Sequence, residues 1–360
     1  MFILEVLNSL KAAGAERFVV DISNELVKRE DVNVTVVTLM TPSSDEIFRD
    51  ELSPDIETIS LNKKIGFSIK TFFDLCKVIY KKKPDVVHAH TAGINYLLLA
   101  ILLFPKVKFF MTIHSDANFE TTSKFLKWLR KIYLYLRPNI AVTISLQSKE
   151  SFTNVYGKDS TLIYNGAPSY VLKEYIDISV YKQTPDTKVF INVARIMPVK
   201  RQLLIANVFN RLITEGHDVA VIFIGDEKDK DISLKLKSFS NKRFFVLGQK
   251  SNPRDYLVYA DCFMLASEYE GLPITLIEAL SVGCIPICTP VGGCVNVIDD
   301  GVNGFLSENL TEESFYCAIK EFLSCSPDTI DKMKKKCIST YVEKYSMKIC
   351  ADKYYELFLR

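Results

Sequence analysis

The stretch ASEYEGLPITLIEAL, residues 266–280, decides how the chain is read, because it sets two carboxylates, Glu270 and Glu278, on either side of a helix N-terminus. The apolar run Cys262 to Ala266 leads into it as a buried strand, and Gly271 and Pro273 punctuate the turn. Pro273 suits the first helical position, and Ile274 to Leu280 continue as helix until Gly283. Glu278 then lies about one turn inside the helix, on the face of Ile274 and Thr275. A helix opening at the carboxyl end of a parallel strand aims free N–H groups and its positive dipole end into the crevice where doubly wound sheets bind ligands. An anion such as a diphosphate fits that place. Glu278 can accept hydrogen bonds from a ribose diol, and Glu270 can reach another part of the same ligand.

This stretch resembles the signature of GT-B glycosyltransferases of family 4 (glycosyl transferases group 1), in which two Glu separated by seven residues bracket the bound nucleotide sugar. Glu270 and Glu278 have that spacing. The resemblance implies an α/β fold, GT-B, with two Rossmann-like doubly wound parallel-sheet domains facing a central cleft. It also implies a donor that is a UDP-, GDP- or ADP-sugar, catalysis without a metal or other cofactor, and a last helix that crosses back onto the first domain.

Composition agrees with a two-domain chain. The chain has 360 residues, 48% of them hydrophobic, enough for two cores. A formal net charge of +2 argues against a nucleic-acid partner. Nine Cys without a Cys-x-x-Cys pair, several inside apolar runs, read as reduced and cytoplasmic. MFILEVL lacks a positive n-region and carries Glu5, which fits a first strand better than a signal peptide. The longest apolar run, Tyr96 to Phe104, is well short of the roughly 20 residues of a membrane-spanning helix.

Short β-rich runs alternate with helical patterns throughout, as in parallel α/β sheets. Strands are predicted at 2–7, 32–39, 85–89, 107–113, 139–144 and 161–164, with helices at about 14–29, 68–82, 94–103, 124–136 and 146–156. After an irregular linker from Asn165 to Asp186 come strands at 188–194, 219–224, 243–247, 262–266 and 285–288, with helices at about 200–215, 231–239, 254–260, 273–282 and 312–324. Residues 327–359 read as charged terminal helices. The domains expected are an acceptor-side unit, 1–168, with a helix at about 345–360 packing back on it, and a nucleotide-sugar-binding unit, 185–340.

After the strand KVFINVA come Arg195 and Lys200, cations at a strand end where a departing diphosphate would need stabilisation. The alternative is a solvated basic loop. In the resembled family an Arg is followed five residues later by a Lys, which assigns Arg195 and Lys200 to the phosphates. The turn Gly271, Leu272, Pro273, Ile274 and Thr275 completes that half of the site, and TPVGG brings Gly292 and Gly293 close to a phosphate or sugar. Asn296 stands where the family usually has Glu. The run VLGQKS, with Gly248, matches the region that reads the base.

In the first unit, Ala13-Gly14-Ala15-Glu16 matches a family loop of two glycines before a helix; only Gly14 is kept. His114, ending the strand FFMTIH, matches a family His that faces the transferred sugar. The resemblance thus implies His114, Glu270, Arg195 and Lys200 as catalytic. His88 and His90 have a spacing that could hold a metal, with no third ligand evident. Asp229-Lys-Asp231 reads as a charged surface loop, and Cys284, Cys288 and Cys294 as core. Lys124 to Arg137 reads as an amphipathic helix with a solvated charged face.

The expected activity is transfer from a nucleotide diphosphate sugar to a glycan or lipid-linked acceptor, in cell-surface polysaccharide or lipopolysaccharide synthesis, and the resemblance implies that it is retaining. Basic clusters at Lys81 to Lys83 and Lys124 to Arg137 suggest weak peripheral contact with the inner face of the cell membrane. The alternatives are a nucleotide-sugar epimerase of the same fold and a non-catalytic nucleotide-sugar-binding subunit.

Overall fold

The computed structural model describes all residues except 45, 122, 139 and 240–242. They divide into two units, Met1–Pro168 with Ser346–Arg360, and Ser169–Tyr345.

Unit 1 runs β1 (Phe2–Leu7), α1 (Gly14–Leu26), β2 (Asn33–Met40), β3 (Glu57–Lys63), α2 (Ile69–Lys82), β4 (Val86–His90), α3 (Leu97–Leu103), β5 (Lys108–Ile113), α4 (Ala117–Glu120), α5 (Lys124–Leu136), β6 (Ala141–Thr143), α6 (Leu146–Tyr156) and β7 (Thr161–Leu162). Its strands form a parallel sheet in the order β3-β2-β1-β4-β5-β6-β7. The chain reverses direction of growth between β1 and β4, so the crevice of this sheet opens there. The central strands are covered on both faces and read as near-continuous apolar runs: in β1 and β4 every residue but Phe2 is buried. Edge strand β3, ETISLNK, buries only Leu61 and was not expected from the apolar pattern. The helix expected over 94–103 is a 3-10 turn, Thr91–Tyr96, followed by α3.

Unit 2 runs β8 (Lys188–Val193), α7 (Gln202–Thr214), β9 (Val219–Ile224), α8 (Lys230–Ser238), β10 (Phe244–Val246), α9 (Pro253–Tyr259), β11 (Cys262–Leu265), α10 (Ile274–Ser281), β12 (Ile285–Cys288), α11 (Cys294–Val297), β13 (Phe305–Leu306), α12 (Glu312–Leu323) and α13 (Pro327–Thr340), with a π-helical turn at Tyr341–Tyr345. The sheet order is β10-β9-β8-β11-β12-β13, all parallel, with the switch between β8 and β11.

The final helix, α14 (Met347–Leu359), belongs to unit 1. It is capped by Ser346, whose hydroxyl accepts from Ile349 N. It buries Tyr354 and Phe358, and its Met347 N–H donates to Ala167 O at 2.8 Å. An ion pair of Arg29 with Asp352 ties it to the end of α1.

Candidate functional site

In unit 2 the loops after β8 and β11 meet at the switch point. The β8 loop forms a 3-10 turn, Pro198–Lys200, that presents the Lys200 ammonium to Glu270 Oε1 at 2.5 Å. Both side chains are largely buried. Glu270 also accepts from Ser267 Oγ at 2.6 Å, and the backbone ties the loops directly through Glu268 N to Val199 O at 2.9 Å. Arg195 has its side chain exposed, and among the described residues it makes no ion pair. Arg201, beside them, instead donates to Leu310 O at 2.6 Å.

The β12 loop completes this edge. Gly292 has φ +55°, and a Cβ there would lie 2.1 Å from Glu270 O, so only glycine lets the two loops approach this closely. Thr289 Oγ1 donates to Ser267 O at 2.7 Å, and Gly293 N to Gly271 O at 2.5 Å. Thus Glu270, Gly271, Leu272 and the pair Gly292–Gly293 are brought together. Gly248, after β10, accepts through its carbonyl from Gly225 N at 2.9 Å on the far side of β8. Asn296 offers its carbonyl to the Tyr345 hydroxyl at 2.8 Å.

Helix α10 starts at Ile274, with Pro273 as its N-cap rather than its first residue. Glu278 is buried in it and accepts from Arg254 Nε at 2.7 Å, while Ile274 is buried and Thr275 half-buried. Arg254 and Ser267 were missed by sequence reasoning. For Arg254 a signal existed: it stands in the first turn of α9, where a cation opposes the helix dipole and calls for an acid nearby.

In unit 1, Glu5, His88 and His90 are fully buried where β1 and β4 pair, and His114, half-buried, directly follows β5. Glu5 Oε2 lies 2.7 Å from His90 Nε2, and His90 Nδ1 lies 2.8 Å from His114 Nε2. His88 Nδ1 faces the same carboxylate at 3.0 Å, while its Nε2 meets Thr112 Oγ1 at 2.7 Å, which in turn reaches the Tyr354 hydroxyl at 2.9 Å. Phe18 lies edge-on to the His114 ring. Burial alone would raise the Glu5 pKa, but the attraction of His88 and the hydrogen bonds from both histidines outweigh it and hold the carboxyl at about 2. Burial, with repulsion from His88, pushes His90 down to about 4. Burial also holds His114 well below its usual value, so both are neutral at pH 7.

Glu5 corrects the sequence reading of His88 and His90, which found no third ligand: one donor atom from each of the three lies within 4.8 Å of the others. The signal was a lone carboxylate inside a strand buried along its length, which needs a partner. Gly14 opens α1, and a Cβ there would meet nothing within 4 Å; Ala13 lies in extended backbone open to any residue. Elsewhere, Asp229 caps α8 by accepting from Ile232 N at 3.0 Å. Cys284, Cys288 and Cys294 are buried and free.

The family model for "Glycosyl transferases group 1" matches residues 176–340, and that for "Glycosyltransferase Family 4" matches residues 12–169. An uncharacterized glycosyltransferase of Methanocaldococcus jannaschii is 26% identical over 259 residues, covering 61% of this chain and 59% of that protein. The UDP-Gal:alpha-D-GlcNAc-diphosphoundecaprenol alpha-1,3-galactosyltransferase of Escherichia coli is 24% identical over 356 residues, 93% of this chain and 91% of that one. Among solved structures, a glycosyltransferase from Rickettsia africae superposes with a TM-score of 0.84 at 19% identity, over 99% of this chain and 97% of that one. Anabaena HepE in complex with UDP does so at 0.78 and 18%, over 99% of each. With two such units, a cation and a carboxylate joined at the switch point of the second, and family models matched along nearly its whole length, the chain belongs to the group 1, family 4 type GT-B glycosyltransferases.

Proposed function

We propose that the chain transfers a sugar, with retention at the anomeric carbon, from a nucleotide diphosphate sugar to a glycan or lipid-linked acceptor in cell-surface polysaccharide or lipopolysaccharide synthesis. The observation that carries this reading is the Lys200–Glu270 pair, held by loops from both sides of the unit 2 switch point. The diphosphate lies at this edge, where Arg195 and Lys200 stabilise the charge that builds on it as the glycosidic bond breaks. Glu278 holds the ribose, Glu270 the sugar or its departing phosphate, and the loop at Gly248 the base. His114 contacts the transferred sugar. The E. coli relative supports a lipid-linked acceptor, since its name specifies a UDP-Gal donor and a diphosphoundecaprenol acceptor.

A weak peripheral contact with an anionic membrane is part of the proposal. Among the described residues no helix is long and apolar enough to cross a membrane. On α5, however, the exposed face is not only charged: Phe125, Trp128 and Tyr135 are exposed among Lys124 and Lys131. Such a mixture of aromatic and basic side chains suits a bilayer interface.

The test begins with thermal shifts for UDP-, GDP- and ADP-sugars, followed by donor consumption with and without a lipid or glycan acceptor extract and by analysis of the product's anomeric configuration. Acceptor-dependent transfer with retention is expected. Conversion of one nucleotide sugar into another without acceptor would make the chain an epimerase. Donor binding with no turnover would make it a binding subunit.

A further inference from the structure

The buried polar chain of unit 1 fixes where its protons are. An ionised carboxylate has only lone pairs to offer, so the 2.7 Å contact between Glu5 Oε2 and His90 Nε2 requires the hydrogen on His90 Nε2. Neutral His90 then has a bare Nδ1, which can only accept. Its partner at 2.8 Å, His114 Nε2, must therefore carry a hydrogen, and the other ring nitrogen of neutral His114 is left with a lone pair.

We propose that Glu5 is a positioning residue for the transfer reaction, which through His90 holds His114 as its Nε2–H tautomer, so that His114 presents an Nδ1 lone pair to a sugar hydroxyl. This rests on the reading of His114 as the residue that contacts the transferred sugar. The hydrogen-bonding logic is that of a buried carboxylate orienting a catalytic imidazole, extended by one ring. His88 braces the carboxylate from the other side and is itself held by Thr112, while Phe18 packs against the rings of both His90 and His114. The strain at the next residue fits a strand end built for geometry: Thr91, β-branched, has φ +47°. The same donors could be read as a metal triad. That reading is disfavoured because all four ring nitrogens of His88 and His90 already have hydrogen-bonding partners.

The chain has four histidines, so nitrogen-15 labelling of histidine in the full chain gives few ring spin systems, assignable with single His→Gln variants. At pH 7 the native His114 ring is expected to show hydrogen on Nε2 alone. Glu5→Gln offers His90 either a donor or an acceptor, and should turn the His114 signal into a mixture of tautomers. Transfer kcat should fall about 10- to 100-fold, as when the partner that orients a functional imidazole is removed. The donor KM and free-nucleotide binding should be nearly unchanged. His90→Gln should repeat this pattern, and the native spectrum decides the tautomer should either variant fail to fold. The relay is overturned by a native His114 with hydrogen on Nδ1, by ring spectra or kcat unaltered in Glu5→Gln, or by stoichiometric Zn²⁺ displacing the His88 and His90 signals. Spectra as expected, with His114→Ala transferring sugar at the native rate, would instead remove His114 from the sugar and leave the relay a structural feature.

Discussion

At the scale of single residues, the candidate site groups of unit 2 are held by one another, and this shapes what substitutions should do. Lys200 is paired with Glu270, so an incoming diphosphate would share the ammonium with a carboxylate already in place. Stabilisation that grows as the leaving group departs lowers the barrier without tightening the ground state. Lys200→Ala should therefore keep measurable donor affinity and lose about 100- to 1000-fold in transfer rate, roughly 2.7–4 kcal/mol, measured by calorimetry and initial rates. A fall in affinity as large as the fall in rate would sink this assignment. Glu278 is also an ion-pair partner of Arg254. Glu278→Ala should weaken binding of the free nucleotide and also lower stability by about 1.5–3 kcal/mol, since it removes a charged hydrogen bond to a largely buried guanidinium. The double variant with Arg254→Ala should recover much of that stability and none of the nucleotide affinity. Recovery of both would show that Glu278 serves only its ion pair.

At the scale of elements, the ends of β1, β4 and β5 concentrate groups whose protonation is coupled to folding. His90 is held at about 4 against a usual 6.5, so between those values the unfolded chain binds a proton that the folded chain does not. Stability therefore rises with pH across this window, is fully present above it and is lost as the pH falls. Glu5, held at about 2 against 4.5, acts with the same sign one window lower: its contribution is present above 4.5 and fades toward 2. Thermal unfolding followed from pH 7 to 4 should show a falling Tm, with a shallower fall in His90→Gln; identical slopes in the two proteins would contradict the coupling. These groups also mark the limit of what the sequence discloses. The strands of both sheets that run through a core were legible as apolar runs, and the placement of Glu270 before helix α10 and Glu278 within it was legible from the turn between. Edge strand β3 was not, because an exposed strand has no apolar run to betray it, and β13 is only two residues long. The partners Arg254, Ser267 and Glu5 were not seen either, since each comes from another element and spacing along the chain says nothing of neighbours across a sheet.

At the scale of the whole molecule, exposed aromatics and lysines of α5, with Lys81 and Lys83 at the end of α2, form the surface proposed to meet a bilayer. Each basic residue near an anionic surface contributes about 1 kcal/mol and is screened by salt, whereas buried aromatic area is not. Flotation with anionic vesicles should recover the chain at low salt and much less at high salt, and Trp128→Glu should abolish recovery under both conditions. Unchanged flotation of that variant would remove α5 from the contact. The return of α14 to unit 1 has a bearing on how the protein is made. Tyr354 and Phe358 close the core over His88, and the Tyr354 hydroxyl is the outer end of the polar chain that begins at His114. During synthesis, Ser169–Tyr345 can fold as soon as it clears the ribosome, but the earlier-made unit stays open beside its buried carboxylate until residues 346–360 have followed. The part translated first is thus the part completed last, and a nascent chain stalled before Ser346 would carry a finished second unit on an unsealed first one.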